Sequence, residues 1–150
     1  MHTIWHRNDR DRLLERLERL ARDRPPRWGS MNALQMVQHL TNQFKLALGD
    51  LEVRPRRSRL GWPVVKTLVI YVMPWPRGAP TAPELLEFST SDWQDAQRDL
   101  GAAMERIVSR GSGGTGGGFA PHPIFGDIGT RAWGVLMYRH VDHHLRQFGE

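Results

Sequence analysis

Two histidines near the C-terminus, His140 and His144, stand where a helix facing a core would carry leucines. Trp133, Leu136, Met137 and Phe148 recur with the phase of one helical face, and both imidazoles continue it. At roughly 100° per residue each lies within about 20° of the centre of that stripe, whereas His143 is turned away by about 80°. Buried imidazoles need partners. Side chains four residues apart project side by side from a helix, so this pair can grip one cation, as the histidines of helical zinc motifs do. Three neutral imidazoles suffice to hold Zn²⁺ at about 2.0–2.1 Å, with a fourth position left for water or substrate. The third ring has two candidates, His39 and His122, while His2 and His6 fall in a charged N-terminal segment and read as exposed. His143 reads as a neighbour of the site rather than a ligand.

The chemistry that follows is acid activation at the open position. Bound water would favour hydrolysis, whereas a bound low-molecular-weight thiol would attack an electrophile. The second route supplies a nucleophile that this chain lacks, because it contains no cysteine. Asp142, His143 and nearby arginines offer proton transfer or anion contact. Three imidazoles suit zinc, nickel, copper and iron alike, with zinc or nickel the leading ions. No Ser-His-Asp order, paired catalytic carboxylates or nucleotide fingerprint competes with this reading.

The elements that must position these rings are helical. A first amphipathic stretch runs from about Asn8 to Arg22 and ends before Pro25-Pro26. A second starts with Ser30 or Asn32 as its cap and stops at Gly49. On its wheel His39 falls with Asn32, Gln35 and Gln43, a polar strip along the edge of the buried face. Trp62–Met73 is rich in β-branched residues, yet Val64, Val65, Leu68, Val69 and Val72 keep helical spacing and Pro63 suits a first helical position. A further helix opens on a capping box, Ser91 with Gln94, and gives way to a glycine-rich tether, Gly111 to Gly118. The last helix follows the turn His122–Gly126 and is capped by Thr130.

Length and composition set the frame. One hundred and fifty residues with 39% hydrophobic content allow one ordinary core, so the chain 1–150 reads as a single all-α domain. The net charge of +5 comes almost wholly from arginine, Lys45 and Lys66 being the only lysines. Arg54 to Arg59 concentrates that charge, but without interleaved aromatic residues it reads as a solvated loop, which argues against nucleic acid as a partner. The longest uncharged apolar run, Thr67 to Trp75, falls short of the roughly 18–20 residues a membrane span needs. No secretory signal opens the chain, so a cytoplasmic protein acting on a small molecule is expected, with the exposed apolar side of Val64 to Val72 suited to a homodimer contact.

Three blocks carry a resemblance: Trp28–Leu40, His122–Gly126 and Tyr138–Gly149. They resemble the signature blocks of the DUF1569 proteins, within the DinB/YfiT-like superfamily of four-helix bundles. That resemblance spans about Pro25 to Gly149 and implies a bundle with an additional short helix and long loops. It implies a metal held by His39 together with His140 and His144, and a trailing glutamine at Gln147 to steady a ligand imidazole or a bound substrate. Relatives in the wider superfamily include thiol transferases that use bacillithiol or mycothiol. The expected function is therefore metal-dependent transfer or hydrolysis, and the alternative is a non-catalytic bundle that binds a partner or dimerises.

Overall fold

The computed structural model describes residues 1–56, 58–78, 81–89, 92–112 and 118–150. Five α-helices cover most of them: α1 (Arg7–Arg19), α2 (Ala33–Leu48), α3 (Pro63–Tyr71), α4 (Trp93–Ser112) and α5 (Gly129–Gln147). Two 3-10 turns, Arg59–Gly61 and Pro83–Leu86, punctuate the connections. Among the described residues there is no strand, and one isolated bridge pairs His122 with Gly126. The molecule is all-α, as the periodicity predicts.

Packing centres on α2 and α5. α2 lies along α4 and also meets α5 and the Pro83–Leu86 turn, while α5 is flanked by α1 and α3. Trp133, Phe44, Phe148, Leu13, Met36, Leu40, Leu100 and Ile107 fill the interior and are almost wholly excluded from solvent. Burying such side chains stabilises the fold by roughly 1.5–3 kcal/mol each relative to leaving them exposed.

Local chemistry accounts for most helix ends. Asn32 caps α2 by accepting from the Gln35 amide at 2.9 Å, and the Gln35 side chain accepts from the Asn32 amide at 3.0 Å. Gly49 closes α2 at φ 80°, a conformation that favours glycine. Pro63 occupies the first turn of α3, which is helical despite its β-branched residues. α3 buries only Ile70, and Val64 and Leu68 on it and Trp62, Val72 and Met73 at its ends are exposed.

Several expected boundaries move. α1 stops at Arg19 rather than Arg22, because Leu20 turns extended and drives its side chain into the core. The Ser91 capping box lies outside the described residues; Asp92 Oδ1 accepts from the Asp95 amide at 2.8 Å and so caps α4. Gly111 and Ser112 belong to α4 rather than to a tether, and residues 113–117 lie outside the description. A Cβ on Gly111 would stand 2.5 Å from the Trp5 ring, so glycine there lets that indole settle against the helix. Thr130 does not cap α5: it is the helix's second residue, and Asp127 Oδ1 accepts from the Gly129 amide at 3.1 Å instead.

Candidate metal centre

α5 presents His140 and His144 one turn apart, and α2 presents His39 to the same point. The Nε2 atoms of His39 and His140 lie 3.2 Å apart, and those of His144 and His140 lie 3.1 Å apart. His39 meets both other rings edge to face and His140 and His144 are tilted to each other, with centroids 4.8–5.1 Å apart. In a tetrahedral site with bonds of about 2.0–2.1 Å, neighbouring nitrogens stand roughly 3.3 Å apart, so the observed spacing fits a shared cation.

The far sides of two rings fix their tautomers. His39 Nδ1 donates to the Leu85 carbonyl at 3.2 Å, and His144 Nδ1 donates to Gln147 Oε1 at 2.8 Å. Each neutral ring holds a single N–H, so both Nε2 atoms aim lone pairs inward. His140 Nε2 faces both and can donate to only one at a time. One inward lone pair is therefore always left without a donor, and that is the arrangement a cation completes.

Burial keeps these rings neutral. Loss of solvation pushes the His39 pKa below the ordinary imidazole value, partly offset by the Leu85 carbonyl. His144 is driven down to about 3 by burial and by the charge His39 would carry, against the opposing Gln147 bond. His140, partly exposed at its edge, is held well below the ordinary value by desolvation and then by the neighbouring imidazoles. Neutral imidazole is the form that ligates a metal, so the electrostatics prepare the site without any proton having to leave near neutral pH.

Gln147 is buried beside His144 and hydrogen-bonded to its Nδ1. Its Nε2 donates to the Trp28 carbonyl at 2.6 Å, which orients the amide and ties the loop before α2 to the end of α5. Gly29, at φ 80°, permits that approach: a Cβ there would fall 2.5 Å from Gln147 Nε2. His39 occupies a different environment from the one its wheel predicts. It is 2% exposed, and Gln38 and Gln43 beside it are also buried. The 81–89 segment folds over that strip, accepting hydrogen bonds from Gln38 at Ser89, from His39 at Leu85 and from Asn42 at Glu87.

The remaining candidates lie around the cluster. His122 is not part of it; its Nδ1 accepts from the Ile124 and Phe125 amides, its ring packs on Phe125 and Trp133, and burial lowers its pKa to about 4. His143 meets His144 edge-on and touches Trp28 and Trp75. Asp142 is held between Arg16 and Arg146, at 2.7 Å from each. His2 and His6 are exposed and flank Asp9. Burial alone would raise the Asp9 pKa, but the His2 bond, the Thr3 amide and the two histidine charges bring it below the usual carboxylate range. Trp75, which the sequence did not single out, lies against His140 at 5.4 Å between ring centroids; a tryptophan within a proline-rich connection was the one signal available.

Residues 5–150 match the family described as Protein of unknown function (DUF1569). No curated protein and no solved structure matches the chain.

Proposed function

This chain belongs to the DUF1569 family, and from that premise we propose that it is a metal-dependent enzyme with a three-histidine centre of the DinB/YfiT-like kind. The observation that carries this reading is the convergence of three Nε2 atoms, with separations of 3.1 and 3.2 Å, from two helices a hundred residues apart in sequence. His39, His140 and His144 would hold the ion. A divalent cation, zinc or nickel first, would supply Lewis acidity that lowers the pKa of water or of a low-molecular-weight thiol, for hydrolysis or transfer.

The chain's own residues orient and protect. Leu85 and Gln147 fix the two inward lone pairs, Trp75 shields the ring of His140, and the Trp28 carbonyl holds Gln147 in place. His143, half-buried beside His144, is the nearest further imidazole that can carry a proton, its pKa lowered by burial against the pull of Asp142. Asp142 stays with its arginines and acts on the site only through charge.

Metal analysis of protein purified without a histidine tag tests the centre. The wild type is expected to take up close to one equivalent of zinc or nickel, and His140→Ala and His144→Ala to lose most of it. Equal, near-zero contents in all three would end the metal reading. Catalysis is tested separately by incubating metal-loaded protein with small thiols and with electrophiles such as p-nitrophenyl acetate. Absence of metal-dependent turnover across a broad panel would favour the second reading, a non-catalytic binding or dimerisation module, for which the exposed apolar side chains of α3 speak.

A further inference from the structure

Beside the three histidines lies a cavity of about 240 Å³, lined by Trp28, Trp75, Arg77, Arg139, His143 and Arg146. Two of these side chains form a common wall with the cluster. Trp75 touches His140, and His143 touches His144, each with ring centroids 5.4 Å apart. The wall is fixed in place: Trp75 Nε1 donates to the Val69 carbonyl at 3.1 Å. Arg139 donates to the carbonyls of Val69 and Ile70, at 2.9 and 2.6 Å, and to that of Met73. One side of the cavity is therefore a rigid aromatic surface anchored to the end of α3.

The charge of the cavity is unbalanced. Three guanidinium groups face it against one carboxylate, Asp142, and that carboxylate is shared with Arg16 from outside the lining. Arg77 stacks over the Trp28 ring at 4.5 Å, and among the described residues it makes no ion pair. Guanidinium groups present planar forks that suit carboxylates and related oxyanions. The volume falls just under the roughly 300 Å³ at which drug-sized ligand pockets begin, so the occupant is small.

We propose that this cavity binds a small organic anion with a flat apolar body, its charged end at Arg77 and Arg146 and its body against Trp75. This rests for its functional meaning on the reading of the neighbouring histidines as a reaction centre: the Trp75 and His143 rings that line the cavity also contact His140 and His144, so the anion would sit against the outer side of that centre and not on the ion itself. The cavity itself is independent of any ion.

Calorimetric titration of chelator-stripped protein tests it, with benzoate as the probe, benzamide as its neutral isostere and acetate as the anion without a body. Benzoate is expected to bind saturably at one site, with benzamide and acetate weaker by about tenfold or more. Arg77→Gln, at an exposed position, is expected to weaken benzoate by about tenfold, whereas Arg22→Gln removes the same charge elsewhere and leaves binding unchanged. A far-ultraviolet circular dichroism spectrum and a Tm for Arg77→Gln equal to those of the wild type show that the variant is folded. Equal affinity for benzamide and benzoate, or equal effects of the two substitutions, would overturn the proposal. Because the protein is stripped, benzoate binding without zinc binding removes only the metal reading, and zinc binding without benzoate binding removes only this one.

Discussion

At His144 a single ring performs two tasks through its two nitrogens. Nε2 points into the cluster, and Nδ1 is held by Gln147, whose own amide is held by the Trp28 carbonyl. Outer partners of this kind typically change metal affinity by about 10–100-fold when removed. Gln147→Leu is therefore expected to weaken zinc binding by about that factor in competition with a chelating dye. Gln147→Glu keeps an acceptor for Nδ1–H but sets its second oxygen against the Trp28 carbonyl, so it is expected to lose less affinity than Gln147→Leu without matching the wild type. Equal losses in both variants would mean that Gln147 serves packing alone. His140 and His144 were legible because Trp133, Leu136 and Met137 establish a phase against which an imidazole is conspicuous. His39 was not, because its wheel neighbours Asn32, Gln35 and Gln43 are polar and give no sign of burial. What buries it is the 81–89 segment, whose short turn has no periodicity to read. There the resemblance to DUF1569 pointed to His39 where periodicity did not.

Among the elements, the N-terminal segment has the least expected role: it clamps α5. The Ile4 amide donates to the Gly134 carbonyl at 3.2 Å, and Trp5 Nε1 donates to the Thr130 carbonyl at 3.1 Å. A Cβ on Gly134 would overlap the Trp5 indole nitrogen and lie 2.5 Å from Thr3 Oγ1. Gly134→Ala is accordingly expected to destabilise the protein by about 1–3 kcal/mol, the usual cost of forcing atoms into a filled space, even though alanine favours a helix. Gly101, midway along α4, has nothing within 4 Å of the position a Cβ would take. Gly101→Ala should stabilise by up to about 1 kcal/mol through propensity alone. Urea midpoints for the pair check both signs, and a neutral Gly134→Ala would show that the clamp is not seated. Helix existence was legible from periodicity throughout. Ends were legible where the stop is local, as at Asn32, Gly49 and Pro63, and displaced where a distant contact decides, as where Trp5 rests on Gly111.

For the molecule as a whole, the candidate centre joins parts that the chain otherwise keeps apart. His39 comes from α2 and the histidine pair from α5, while Leu85 and Trp28 bring in two loops through the outer hydrogen bonds. An ion bound only by the assembled set stabilises the folded state by about 2.7 kcal/mol at a hundredfold excess over its Kd. For a chain of this size each kcal/mol raises Tm by about 2–4 °C, so saturating zinc should raise it by roughly 5–10 °C. A chelator should reverse the rise. His39→Asn removes the α2 contribution and leaves the α5 pair, which can still take zinc weakly as two neighbours on one helix. Its Tm should therefore respond little to zinc, because a pair on one helix forms without α2 and so does not link binding to the global fold. Differential scanning calorimetry of both proteins, with and without zinc, separates the cases. A full rise in His39→Asn would place the ion on α5 alone, and no rise in the wild type would leave the convergence of the three rings without an ion to explain it.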